Sequence, residues 1–464
     1  VISSGFQSAG QRCSALRVLF LQEDIADKVI EMIKGALQEL HVGNPEFFST
    51  DVGPVIDSKA HQALTEHVEY LKDKATLHYQ CKGPDMGDVG HHFFEPRLYE
   101  IADLSVLTKE VFGPCVHIIR FKGRDIDNVI DQINGTGFGL TMGIHTRIEE
   151  KSKYLAQRSR AGNVYVNRNM IGAVVGVQPF GGRGLSGTGP KAGGPMYLTQ
   201  LVKEPMLTEE NLLTEQEKTS LLSDFEQNVN TSWKIGAKLQ TAKNDERKWR
   251  DTDLTVRVSI ARQLLAQIAS HKLFVSQQES LEQTLVHARS QLSLIEKELA
   301  NPITLPGPTG ESNKLYLESR GTVAVLGDQD TSFEFWLISV VTALATGNNV
   351  IALVSDSFLD EAQACEKVLA EIGLVAGIFQ AVSIGHLPSV LEHPHLCGAV
   401  VDSASRLKQL VAQTLAARSG AILPVITAQS YKKLMDRLVT EKTISIDTTA
   451  AGGNASLMTM EMPA

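Results

Sequence analysis

Phe6-Gln7-Ser8-Ala9-Gly10-Gln11-Arg12-Cys13-Ser14-Ala15-Leu16-Arg17 sets one cysteine just past a turn of small residues. A short polar segment precedes it, and the apolar run Ala15 to Leu21 behind it reads as a strand. A thiol at such a junction is held by backbone on both sides and can face a cleft. There the thiolate, which is the nucleophilic form, is stabilised by backbone N–H groups and by Arg12 beside it. Cys13 is therefore a candidate nucleophile. A cysteine taken alone is more often a small buried apolar residue, so the assignment rests on the whole run F-x-x-x-G-Q-x-C.

The chain has 464 residues, enough for two or three domains with cores of their own. A net charge of −9 and scattered basic residues argue against nucleic acid as a partner. No apolar run approaches the length of a bilayer span, and the start carries no signal-peptide pattern. Five cysteines, at 13, 81, 115, 365 and 397, lie far apart without a C-x-x-C pair. That argues against a disulfide framework and against a zinc site, and fits a reducing, cytoplasmic setting. The chain begins at Val1, inside what reads as the helix leading to the cysteine loop, and is expected to be a piece of something longer.

Apolar residues at Ile25, Val29, Ile30, Met32, Ile33 and Leu37 predict a helix within Gln22–Leu40, after an acidic first turn at Glu23 and Asp24. A second helix is predicted from Ser58 to about Lys74. His91-His92 introduces a strand, and adjacent strand residues point to opposite faces, so the pair is read as structural rather than as a metal site. Thr108-Lys109-Glu110-Val111-Phe112-Gly113-Pro114 puts a carboxylate before a Gly-Pro turn. A helix over Ile126–Ile133 and an alternating strand over Gly162–Asn167 lead to a loop with seven glycines between Gly172 and Gly189. Such a loop leaves backbone amides bare and able to grip a carboxylate.

Residues 204–252 are rich in charge, Gln, Asn and Thr and read as surface helices and linker. Leu281, Leu285, Ala288, Leu292, Ile295 and Leu299 mark a packed helix, too short in heptads to prefer a coiled coil. Beyond the turn cluster at 305–311, strands and helices alternate up to Ile426, which specifies a doubly wound parallel sheet. The last strand begins near Thr443 and runs into a small-residue tail, Thr448–Leu457.

The cysteine run resembles the active-site signature of the aldehyde dehydrogenase superfamily. E-x-F-G-P resembles that family's segment in which a carboxylate holds the nicotinamide ribose of NAD and a phenylalanine packs beside the ring. Carried over, these are Glu110 and Phe112. The ending P-F-G-G-x-G-x-S-G resembles its substrate-bordering loop. The wording N-R-N-M-I-G-A-V-V-G-V-Q-P-F-G-G, with Gly189-Pro190-Lys191-Ala192-Gly193-Gly194-Pro195, is closely similar to the proline utilization A family, which joins a proline dehydrogenase to a glutamate-semialdehyde dehydrogenase. There the loop anchors the substrate's carboxylate and ammonium. The matching positions are Gly172, Ala173 and Phe180, with Ser14 beside the nucleophile.

The resemblance implies a fold class of α/β, with an aldehyde dehydrogenase catalytic domain followed by a degenerate Rossmann-like domain. The expected boundaries are residues 1–203 for the catalytic part, 204–304 for a helical linker, 305–440 for the non-catalytic Rossmann-like domain, and 441–464 for strand and tail. Gly327-Asp328-Gln329-Asp330 stands where the family has its oxyanion asparagine motif. Leu353 replaces the lysine that meets the adenosine ribose, and Ile426-Thr427-Ala428-Gln429-Ser430 replaces the general-base segment. The tail resembles the carboxyl-terminal motif of long family members, where it seals a channel.

The activity implied is oxidation of L-glutamate 5-semialdehyde by NAD. Cys13 would form the thiohemiacetal and its N–H would help hold the oxyanion. Hydride would pass to NAD, and water would hydrolyse the thioester to glutamate. The general base, most of the NAD pocket and an FAD-dependent proline dehydrogenase are expected upstream in the same polypeptide, so this chain alone should be inactive. Expected partners are the semialdehyde, those upstream domains and a second copy in a homo-oligomer. The competing reading is a non-catalytic assembly and channel-sealing module. A cysteine hydrolase ranks third, since no histidine sits in a motif that would pair with Cys13.

Overall fold

The computed structural model describes every residue except 85–91, 202–212, 224, 226–231, 278–279, 428–429 and 450–464. Two compact units divide the chain. Among the described residues, one comprises Val1–Ser186, Leu305–Asn313 and Thr443–Thr449, and the other comprises Gly187–Thr304 and Lys314–Lys442.

In the first unit the apolar run after the cysteine forms the strand Val18–Gln22, and the helix Glu23–Gln38 follows directly. Glu23 and Asp24 sit in its first turn, where negative charge complements the helix dipole. The buried stripe is Ala26, Ile30, Ile33 and Leu37, while Ile25 and Met32 are exposed. Helix Ser58–Leu71 is capped by Asp57, which accepts from the Ala60 amide at 2.8 Å, and buries Leu64, His67 and Leu71. Both helices cover a four-stranded sheet in the order Val18–Gln22, Cys115–Phe121, Arg97–Ile101, Ala75–Gln80. The first three strands are parallel, and the last is an antiparallel edge. Cys115–Ile119 is buried at every position, the pattern of a strand with both faces covered. A separate sheet sets Asn163–Val166 between Thr141–Ile144 and Val439–Asp447, with Thr443–Ile446 parallel to Asn163–Val166.

The second unit is the doubly wound sheet expected from the alternation of its elements. Its strands run parallel in the order Phe379–Ser383, Asn349–Val354, Thr322–Gly327, Leu396–Val400, Val425–Ile426. Side chains alternate between two cores, as the pleat requires. Val323, Val325, Val350 and Ala352 face the helices Phe333–Ala345, Leu254–Ser270 and Leu281–Leu299. Ala324, Leu326, Ile351 and Leu353 face the opposite cluster, with Val390, Leu410 and Val411.

Phe333–Ala345 is apolar on nearly every side because it lies in the middle of the first core. Trp336 is fully buried there, so Trp336→Ala would remove about 3–5 kcal/mol. The stretch read as surface helices needs correcting. Helix Ser232–Arg250 buries Ile235, Leu239, Ala242 and Trp249, and its many charged residues, most of them exposed or half-buried, mask this. Leu281–Leu299 buries Leu281, Leu285, Ala288, Leu292 and Ile295, as a packed helix should.

Candidate active site

The cysteine loop begins where helix Ile2–Phe6 ends, in three successive residues with left-handed backbone: Ser8 (φ 55°), Ala9 (φ 53°) and Gly10 (φ 64°). For the two that are not glycine this conformation costs about 1–2 kcal/mol each, so the surroundings must enforce it. They do so at Gly10, where an added Cβ would meet the Gly113 carbonyl oxygen at 2.3 Å. Only glycine lets the backbone of the Glu110–Gly113 segment come that close. Beyond it, the Ala15 amide donates to the Arg12 carbonyl at 3.0 Å, closing a turn with Cys13 exposed at its tip and Ser14 buried. Among the described residues, the N–H groups of Cys13 and Ser14 have no intrachain acceptor.

Arg17 ties this loop to the second constellation. Its Nη1 donates to the Gly10 carbonyl at 2.5 Å and its Nη2 to the Arg12 carbonyl at 3.0 Å. Its Nε donates to Glu110 Oε1 at 3.2 Å, and its guanidinium lies 4.7 Å from the centre of the Phe112 ring. Burial lowers the Arg17 pKa and Glu110 opposes that shift, so the guanidinium stays charged. Glu110 keeps one carboxylate oxygen outside this bond, and Phe112 is 42% exposed. An open carboxylate oxygen and an accessible ring match what a nicotinamide riboside needs, so these two residues fit NAD.

A cavity of about 460 Å³ beside them is lined by Gln11, Leu64, His67, Lys109, Glu110 and Phe112, among others. On its wall, His67 Nε2 meets His117 Nε2 at 2.9 Å, and His117 Nδ1 donates to the Arg17 carbonyl at 3.0 Å. A carbonyl can only accept, so His117 carries its proton on Nδ1 and accepts from His67 Nε2–H. Burial holds both rings neutral, each with its pKa lowered to about 4.

The glycine loop is shaped by buried side chains. Asn163 Nδ2 donates to the Pro179 carbonyl at 2.8 Å and Asn163 Oδ1 accepts from the Gly181 amide at 3.1 Å, which fixes the backbone on both sides of Phe180. Thr443 Oγ1 donates to the same Pro179 carbonyl at 3.0 Å. Gln178 Oε1 accepts the Val174 amide at 2.9 Å and so closes the turn that holds Gly176; Gly172, two residues before that turn, is left-handed like Gly176. The amides of Gly172 and Ala173 have no intrachain acceptor among the described residues. The Met170 amide, just before the turn, donates to Ser4 Oγ at 3.2 Å, joining the loop to the helix that precedes the cysteine.

Glu110 and Phe112 thus meet the Cys13 loop through Arg17 and Gly10. Gly172, Ala173 and Phe180 share one loop that is tied to the same helix. Arg17, Asn163, Gln178 and the histidine pair are absent from the sequence prediction. Asn163 and His117 gave a signal, each as a polar residue in a largely apolar strand. In the second unit Leu353 is fully buried, and the Asp328 carboxylate is taken up by its own chain. Residues 428–429 and the tail from 450 lie outside the described residues.

Residues 1–204 match the model of the aldehyde dehydrogenase family. Over nearly all its length the chain is similar to the bifunctional protein PutA of Salmonella typhimurium, 36% identical over 470 residues, which is 99% of this chain and 31% of that protein. It is also similar to the 1-pyrroline-5-carboxylate dehydrogenase of Geobacillus kaustophilus, 35% identical over 200 residues, covering 43% of this chain and 38% of that protein. The structure of proline utilization A from Corynebacterium freiburgense shares the fold, with a TM-score of 0.54 and 20% identity over 96% of this chain and 36% of that one. The chain spans about a third of the length of the PutA relatives it matches.

Proposed function

We propose that the cysteine unit oxidises L-glutamate 5-semialdehyde in proline catabolism, with Cys13 as nucleophile and NAD as coenzyme. The observation that carries this reading is the Arg17 guanidinium, which holds the nucleophile loop through two carbonyls and the coenzyme-binding pair Glu110 and Phe112 at once. In the reaction the Cys13 thiolate bonds to the aldehyde carbon, and the carbonyl electrons move to oxygen. The unpartnered Cys13 N–H faces that developing charge. NAD, when bound, supplies the hydride acceptor. Glu110 would hold its ribose by accepting hydrogen bonds, and Phe112 would pack beside its ring. The Gly172 and Ala173 amides would donate to the substrate carboxylate, with Ser14 and Phe180 bordering the site.

The second unit, on this reading, is a packing module that binds no NAD. It offers no polar group at Leu353 and places a carboxylate where a pyrophosphate would lie. In the intact enzyme, Cys13→Ala should abolish NAD reduction with the semialdehyde and leave proline oxidation unchanged. Retained dehydrogenase turnover in that variant would sink the assignment.

A further inference from the structure

Glu311 lies 143 positions from Arg168 and 133 from Gln178 in sequence, yet the three side chains meet within the first unit. Glu311 Oε2 accepts from Arg168 Nη1, and Oε1 accepts from Gln178 Nε2. Asn313 Nδ2 donates to the same Oε1 at 2.9 Å. The cluster is secluded, with side-chain exposures of 13% for Glu311 and 16% for Arg168, and Gln178 only 3% exposed. Arg168 also lies 5.3 Å from the centre of the Tyr165 ring, so its position is fixed from two sides.

The orientation of the Gln178 amide follows from chemistry. An ionised carboxylate only accepts, so the amide must turn its NH2 toward Glu311. Its oxygen then points the other way, where it accepts the Val174 amide at 2.9 Å. That bond closes the turn Val174–Gln178 and fixes Val174, the residue that directly follows the open amides of Gly172 and Ala173. Hydrogen bonds to an ionised acceptor are stronger than neutral ones, which makes Glu311 rather than Asn313 the anchor.

We propose that Glu311 is a positioning residue for the substrate loop. Acting through Gln178, it fixes the direction in which the Gly172 and Ala173 amides meet a carboxylate-bearing aldehyde. The proposal rests on the carboxylate-anchoring reading above. It assigns part of the substrate selectivity to Leu305–Asn313, a segment outside the residues that match the family.

The test compares Glu311→Gln, Glu311→Ala and Glu311→Asp with the parent, by amide hydrogen exchange on the full chain and by kinetics on the intact enzyme. Glu311→Gln keeps the side-chain shape but frees the Gln178 amide to flip. Exchange at Val174 should rise by about tenfold in the Gln and Ala variants, and Asp should restore part of the protection. Exchange in the core strand Cys115–Phe121 should not change. KM for the semialdehyde should rise about tenfold, while kcat/KM for an uncharged aldehyde such as propanal holds. Unchanged exchange at Val174 overturns the proposal. So does faster exchange throughout the unit, which would make Glu311 a general structural residue, and so does an equal loss with both aldehydes. A parent enzyme that oxidises propanal and semialdehyde equally well overturns the carboxylate-anchoring reading instead, and exchange at Val174 then decides the role of Glu311 alone.

Discussion

The two units are both built on parallel strands, and they treat the loops at their strand ends in opposite ways. Among the described residues, the cysteine unit leaves the amides of Cys13, Ser14, Gly172 and Ala173 without acceptors, and uses Arg17, Asn163 and Gln178 to hold those loops in shape. The second unit has its topological switch between Thr322–Gly327 and Leu396–Val400, where doubly wound sheets take their ligands. There Asp328 accepts from Thr331 Oγ1 at 2.6 Å, from the Asp330 amide at 3.2 Å and from the Ser405 hydroxyl. Asp330 pairs with Arg406 at 3.0 Å. Topology provides a crevice in such a sheet, but donors left unpaired are what make it a site.

The largest contrast is expected among the thiols. Cys13 is exposed, whereas burial pushes the Cys115 thiol up to about 12 and Cys81 up to about 11. Cys365, at the core of the second unit, is raised as well. At neutral pH a thiol near 12 carries roughly a thousandfold less thiolate than one near 9, before burial slows access further. Timed iodoacetamide labelling with peptide mapping should therefore find Cys13 modified first. If Cys115 or Cys365 is labelled as fast, the burial described here is wrong.

Next come the glycines with positive φ. Gly10→Ala adds a 2.3 Å clash with the Gly113 carbonyl to its left-handed strain, and should lower stability by about 3 kcal/mol or more. Gly373→Ala in the second unit has the same sign of φ but open space around the new Cβ, and should cost only about 1 kcal/mol. Urea titrations of the two variants measure the difference, and equal losses would remove the special tightness claimed for the cysteine loop.

The histidine pair predicts a pH effect confined to the cysteine unit. Burial comes first among the causes of both depressed values; the charges of His117 and Lys109 add to it for His67, while for His117 the bond to the Arg17 carbonyl opposes it and the Arg17 charge adds to it. Between pH 6.5 and 4 the unfolded chain binds more protons at these rings than the folded one. The stability they contribute is therefore complete above about pH 6.5 and is lost as pH falls through that window. Hydrogen exchange at pH 7 and pH 5 should show the Cys115–Phe121 strand loosening before Thr322–Gly327. The reverse order would break the comparison. The smallest expected effect is none: millimolar NAD should change no amide exchange rate over Gly327–Ser332, and protection there would overturn the packing-module reading.

Much of the second unit was legible because its strands are continuous apolar runs and its helices carry clear caps, as Ser332 does by accepting from the Phe335 amide at 3.2 Å. The edge strand Ala75–Gln80 was not, since it is half exposed and lacks the alternation that marks a buried strand. Helix Ser232–Arg250 hid its buried residues among lysines and arginines. In the site, Cys13, Glu110 and Phe112 were readable as motifs, because local spacing carries them. Arg17 and Gln178 were not, because each acts on partners that only the fold brings near.

Arg17 also bears on the order of assembly. Its bond to Glu110 joins residues 93 positions apart, and the bond from His117 to its carbonyl joins residues 100 apart. Contacts of such separation close late, after the entropy of a long loop has been overcome. A chain still emerging from the ribosome therefore holds Cys13 as an ordinary mobile thiol. Its nucleophile loop takes shape once the strand Cys115–Phe121 has docked, so chemical reactivity at Cys13 can serve as a clock for that docking.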